Sequence, residues 1–363
     1  MTAGRTAASA GPIVVLGGAG FIGSNLADSY LSEGREVIIL DSLARPGVEA
    51  NLVWLKERHR DNLQVVLGDI RDETILRDVL DDAAAVFHLA AQVAVTTSLN
   101  DPREDFSVNA AGTLHVLEAL RRKDDHTPLI FSSTNKVYGD LDDLEMAVLG
   151  DCHFPADAEL RANGISEDRQ LDFCTPYGCS KGVADQYVLD YAKSYGLPTA
   201  VLRMSCIYGP RQFGTEDQGW VAHFLIRAMR GQPITVYGDG RQVRDILHVG
   251  DAVAAYRSAL ANIGDVAGQA FNLGGGPANA VSLRMVLQEI ADILKAEPDL
   301  HHAAPRTGDQ LYFVADTRRL QQRLRWQARM GWRQGIRDLA AWVAAFCDRD
   351  AEIIAMDAER LKV

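Results

Sequence analysis

Cysteine is scarce in this chain: five among 363 residues, at positions 152, 174, 179, 206 and 347, with neither a C-x-x-C pair nor an even-numbered framework. That scarcity excludes a disulfide-stapled secreted scaffold and predicts reduced thiols, a cytoplasmic setting and no bound metal. No apolar run approaches the roughly 20 residues of a membrane span, so no membrane association is expected. Clusters of lysine and arginine are missing as well. With a formal charge of −12, the chain lacks the basic surface that binding nucleic acid requires. Residues 1–11 have no apolar signal-peptide core and read as a loose tail. There is no internal repeat and no low-complexity block.

What is present starts at Gly17-Gly18-Ala19-Gly20-Phe21-Ile22-Gly23, directly after the apolar run Ile13-Val14-Val15-Leu16. An apolar run closed by glycines reads as a buried parallel strand. The glycines at 17, 20 and 23 allow a tight turn, close approach of backbone to a pyrophosphate, and a helix start whose N–H groups face phosphate. The next run, Glu36 to Leu40, ends in Asp41 with Ser42 beside it. A carboxylate there accepts hydrogen bonds from the adenosine ribose and repels a 2′-phosphate, which predicts NAD rather than NADP. Third and fourth runs end in Gly68-Asp69-Ile70 and in Leu89-Ala90-Ala91-Gln92, small or polar residues along which a dinucleotide can lie. His88, on the fourth run, reads as a core histidine.

Short apolar runs alternate with helical patterns from Pro12 to about Arg203, and this predicts right-handed βαβ units. The expected fold is α/β, a Rossmann-type doubly wound parallel sheet with a smaller C-terminal α/β substrate lobe. Residues 12–203 with about 244–276 form the dinucleotide domain in this reading. The second lobe takes about 204–243 with 277–347. The stretch 140–167 reads as an insertion, either a cover for the substrate or an exposed loop.

Phe131-Ser132-Ser133-Thr134 falls at the C-terminal end of a strand, the edge where such sheets place ligands. Farther on, Tyr177 and Lys181 stand four apart and share a helix face. The ammonium can reach the cofactor ribose, and its charge favours the tyrosinate that a base near pH 7 requires. Either Thr134 or Ser133 would align a sugar hydroxyl, with Ser132 near the cofactor.

These motifs, together with Asn109, Gly112-Thr113, Tyr208-Gly209-Pro210-Arg211 and Arg244-Asp245 with His248, resemble the extended short-chain dehydrogenase/reductase family of nucleotide-sugar enzymes. The resemblance runs over nearly the whole chain. It implies NAD in the large lobe, a nucleoside diphosphate sugar in the small one, and Thr134, Tyr177 and Lys181 as the catalytic set. Narrower segments around Gln92 to Ser98, including Thr96, and Ser132 to Asp140, including Asn135 and Lys136, are similar to the branch that inverts C2 of CDP-hexoses of the paratose and tyvelose type. By the same likeness Arg211, Arg244 and Arg306 are expected near the diphosphate, and Trp220 near base or sugar. Dehydratases of the family carry Asp-Glu after the threonine, whereas this chain has Asn135-Lys136, so elimination of water is not expected. The competing readings are a nucleotide-sugar 4-epimerase and a dinucleotide-sensing protein without catalysis. Apolar faces on the helical stretches 109–122 and 179–195 predict a homodimer or homotetramer.

Overall fold

The structure is a computed structural model that describes residues 11–123, 126–306 and 308–360, the last fourteen of these as backbone only. Residues 1–10, most of the expected tail, lie outside the described residues. In chain order the strands are β1 (Ile13–Leu16), β2 (Val37–Asp41), β3 (Leu63–Leu67), β4 (Ala85–His88), β5 (Leu129–Thr134), β6 (Met146–Leu149), β7 (Cys152–Pro155), β8 (Thr199–Met204), β9 (Cys206–Tyr208), β10 (Ile234–Tyr237), β11 (Val243–His248), β12 (Gln269–Leu273), β13 (Ala280–Ser282), β14 (Leu300–Ala303) and β15 (Tyr312–Phe313).

Seven of them form one parallel sheet in the order β3-β2-β1-β4-β5-β8-β12. Both faces of this sheet are covered, so β1 has to be apolar at every position rather than at alternate ones. Ile13 and Val15 enter one core with Leu26, Tyr30 and Tyr256, while Val14 and Leu16 enter the other with Leu76, Leu117 and Val188. Each such fully buried side chain contributes about 1.5–3 kcal/mol. The chain leaves β1 toward β2 on one side and enters β4 on the other. This reversal opens a crevice above the C-terminal ends of the strands.

The second lobe is built on β13-β11-β15, with β9 added beside β11 and a separate β10–β14 pair. Its core gathers Phe224, Leu225, Ile246, Val286, Ile336 and Leu339. β11 was expected in the large lobe, and its strand pairs place it here instead. Its side chains serve both cores, Leu247 packing into the large-lobe cluster and Ile246 into this one. The insertion is neither a cover nor a loose loop. Strands β6 and β7 form a hairpin whose Cys152 packs with Val243, Tyr312 and Val314, and the His153 N–H donates to the Arg241 carbonyl at 2.9 Å. It braces the small sheet, and none of its residues lines the interlobe cavity described below.

Candidate active site

The glycine turn has no room for side chains. Gly17 has φ +80°, and a Cβ there would lie 2.6 Å from the Ala90 nitrogen; one on Gly23 would lie 2.3 Å from the Gly17 carbonyl oxygen. Asp41 sits over this turn, its carboxylate accepting the N–H groups of Ala19 and Leu43 at 2.9 Å each. Burial raises the Asp41 pKa, while those two bonds oppose the rise. Helix Phe21–Leu31 then starts at Gly20 without a side-chain cap, so its first N–H groups, those of Phe21 and Ile22 included, present an anion site. A narrow cradle, an uncapped helix start and a carboxylate at the second strand end fit a dinucleotide.

Farther along the crevice, Ser42 is exposed just past β2, and Asp69 is held by Arg71 at 2.7 Å, which keeps its carboxyl below the usual range. Ile70 is buried, and a Cβ on Gly112 would collide with it. Leu89, Ala90 and Ala91 lie half-buried beyond β4. Gln92 closes the row. Asn109 accepts its N–H at 2.9 Å and donates to its carbonyl at 3.0 Å and to Ser180 at 3.1 Å, joining this edge to the helix that carries Tyr177. His88 is a core residue bonded to Thr113 at 3.0 Å, and burial pushes it down to about 3, so it stays neutral.

Helix Thr175–Tyr195 starts next to the end of β5, with Pro176 in its first turn. Tyr177 therefore stands in that turn and Lys181 one turn later. The Tyr177 side chain lies beside Thr134, which favours the ionised phenol, and its backbone N–H donates to Ser98 at 3.1 Å. Lys181 donates to the Ser132 carbonyl at 2.6 Å and lies 4.2 Å from the centre of the Phe131 ring. Burial pushes Tyr177 up to about 12, against the effect of Thr134, and pushes Lys181 down to about 7, against the charges of Asp185 and Asp105. Of the two candidate hydroxyls, that of Thr134 lies on the Tyr177 side. Ser133 points the other way and donates to Asp185 at 2.7 Å, as neighbours along a strand must face opposite sides. Ser132 gives its hydroxyl to Tyr256 and only its carbonyl to this side.

A cavity of about 770 Å³ opens between the lobes, and Thr96, Asn135, Lys136, Trp220, Arg244 and Arg306 line it. Thr96 Oγ1 is buried without a partner. Arg244 is held by the carbonyls of Val243 and Gln310 and by Asp309 at 2.7 Å. Arg306 lies 3.9 Å over the Tyr237 ring and is ion-paired to Glu216 and Asp217. The Trp220 indole N–H donates to Cys206 Sγ at 3.5 Å. Arg211 does not line this cavity; its guanidinium stacks at 4.0 Å on Trp54. Sequence reasoning missed Asp309 and Gln310 as the groups that orient Arg244 and Asn135. Their only signal was their place in the Arg306 to Gln310 stretch.

A Rossmann sheet with a glycine-turn cradle, and a Thr-Tyr-Lys set next to an interlobe cavity whose wall begins at Asn135, defines an extended short-chain dehydrogenase. The family model of the NAD dependent epimerase/dehydratase family matches residues 13–274, and the chain belongs to that family. Among curated relatives, CDP-paratose 2-epimerase of Salmonella typhi is 40% identical over 92% of this chain and 99% of its own length. A putative UDP-glucose 4-epimerase of Methanocaldococcus jannaschii is 30% identical over 91% of this chain and 98% of its own. Among solved structures, UDP-glucose 4-epimerase of Thermotoga maritima with UDP-glucose superposes with a TM-score of 0.79 at 29% identity, covering 93% of this chain and 99% of that one. Its counterpart from Thermus thermophilus, in complex with NAD, gives 0.76 at 30% identity, covering 92% and 99%. The chain is an NAD-dependent nucleotide-sugar epimerase. No helix among the described residues is long and apolar enough to cross a membrane.

Proposed function

We propose that the protein inverts C2 of a CDP-hexose of the paratose and tyvelose type. The observation that carries this reading is the placing of Tyr177 beside Thr134, followed by Asn135-Lys136 on the cavity wall. Eliminating water needs an acid for the leaving hydroxyl and a base for a C–H proton. Asn135 is neither, so the site is left with alcohol and ketone chemistry. The 40% identity to a C2 epimerase favours that carbon over C4.

The glycine turn, Asp41, Ser42, Asp69, Ile70, residues 89–92, Ser132, Tyr177 and Lys181 would hold NAD. NAD held there would supply hydride uptake and return at C2. Tyr177 accepts the C2 hydroxyl proton while Thr134 aligns that hydroxyl. Arg244 and Arg306 anchor the diphosphate, Arg306 on release from Glu216, so the planar ketone can turn about its link to phosphate and show its other face. Tyr177 then gives the proton back. With C2-deuterated CDP-hexose, NMR is expected to find the label retained at inverted C2 with no solvent hydrogen incorporated. Label washed out to solvent, or inversion at C4, would overturn the reading.

The helices Val95–Asn100, Pro102–Phe106 and Thr175–Tyr195 pack side by side and leave Leu99, Phe106, Tyr187 and Tyr195 exposed. Such a patch supports a homodimer. Light scattering is expected to give twice the 39.6 kDa chain mass, and a monomer at micromolar concentration removes this part. The cysteines at 152, 174, 179 and 206 are unpaired, which supports a reducing, cytoplasmic setting.

A further inference from the structure

Lys136 has no part in the proton transfer above, yet it is built into the site. Its backbone N–H donates to the catalytic hydroxyl of Thr134 at 3.2 Å, and its ammonium crosses to the Gly308 carbonyl at 2.7 Å. Lys136 and Arg244 line the same cavity, and they are close enough that the guanidinium disfavours the ammonium. Arg244 already shares Asp309, while the hydrogen-bond partner of Lys136 is an uncharged carbonyl. Two cations facing one cavity are balanced best by an anion placed between them.

We propose that Lys136 binds the sugar-proximal phosphate of the substrate and thereby decides which ring carbon meets Tyr177. This inference rests on the C2 reading. In a nucleoside diphosphate sugar, C2 lies three bonds from that phosphorus, whereas C4 lies five bonds away across the ring. A cation fastened through its own N–H to the hydroxyl that aligns the reacting alcohol holds phosphate and alcohol close together, which suits C2. A C4 epimerase needs the phosphate a ring's width farther off.

The charged and titratable groups facing the ammonium are Arg244 from β11, Asp309 from the late loop, Asp140 after β5, Cys206 from β9 and Cys174 just before helix Thr175–Tyr195, the last bonded to Asp140. Burial, then Arg244, pushes Lys136 down to about 8, and burial pushes the Cys206 thiol up. A bound phosphate raises the Lys136 pKa again. Affinity is therefore full below about pH 8 and lost as pH climbs from there toward the bound-state value, with proton uptake on binding.

The test is calorimetric titration of the NAD-loaded protein with CDP, from about pH 7 to about 9.5. Lys136→Met is expected to weaken CDP binding about tenfold or more and to raise KM for CDP-hexose similarly. Lys136→Arg is expected to stay within about threefold of wild type at pH 7 and to lose the fall in affinity above pH 8, since guanidinium does not titrate there. Unchanged NAD content would show that the variants fold. Should Lys136→Met misfold, the wild-type pH series and Lys136→Arg decide alone. CDP affinity within twofold of wild type in Lys136→Met, or a wild-type affinity flat across that range, overturns the inference and leaves the C2 reading standing. If the wild type inverts C4 instead of C2, both fall together.

Discussion

Tyr177→Phe is expected to lower kcat by about three orders of magnitude, some 4 kcal/mol of barrier, while the purified protein keeps its NAD. The ring of phenylalanine fills the same half-buried place in the first turn of helix Thr175–Tyr195, and the glycine turn, Asp41 and the Asn109 clasp do not involve the phenol. Binding of cofactor and folding are thus separated from chemistry. What is lost is the phenol beside Thr134 that can take up and return a hydroxyl proton. KM for the sugar nucleotide should move by less than about threefold, because the phenol is not among the groups proposed to hold the diphosphate. Turnover within tenfold of wild type would show that Tyr177 is not the base. The wild-type acid limb, where the rate rises with pH as the phenol ionises, should vanish in the variant.

Arg203→Met is expected to have the largest effect on stability. Arg203 on β8 and Asp185 on helix Thr175–Tyr195 form a two-pronged pair at 2.9 Å each, with side chains 5% and 0% exposed. Ser133 adds a donor to Asp185 at 2.7 Å, and Arg203 also donates to the Tyr138 hydroxyl at 3.1 Å. Removing the guanidinium strands the Asp185 carboxylate in the interior, which costs about 3–5 kcal/mol out of a total stability of about 5–15. The midpoint of thermal unfolding should drop by roughly 4–7 °C. Because this network ties the end of β5 to the Tyr177 helix, the loss should also loosen the Thr134–Tyr177 pair and lower kcat. The double variant Asp185→Asn with Arg203→Met removes the orphaned charge and should recover part of the stability. A loss below about 1 kcal/mol in the single variant would mean that water reaches Asp185 and the pair is not a keystone.

The glycine turn was legible because its spacing is local, although the Ala90 backbone that excludes a Cβ at Gly17 comes from the end of β4. Gly17, Gly20 and Gly23 sit within one turn, and the atoms that exclude a Cβ at Gly23 belong to Gly17 and Gly18. Tyr177 and Lys181 were legible for the same reason, four residues apart on one helix. Ser133 and Thr134 show the limit of such reading. Strand alternation requires that they face opposite sides, but which side holds the cavity depends on Asp185, fifty-two residues away. Arg211 and Arg306 are equally basic on paper. The aromatic surface each meets, Trp54 for one and Tyr237 for the other, comes from distant chain.

By itself, then, the order of residues determined the doubly wound sheet, the glycine turn and the one-turn spacing of Tyr177 and Lys181, since each is set by periodicity or by contacts within a few positions. Tertiary structure alone decided that β11 joins the second lobe, that the insertion braces a sheet instead of covering the substrate, and that Lys136 shares a cavity with Arg244. Those outcomes depend on which distant surfaces compete for the same buried space, and no local pattern of residues encodes that competition.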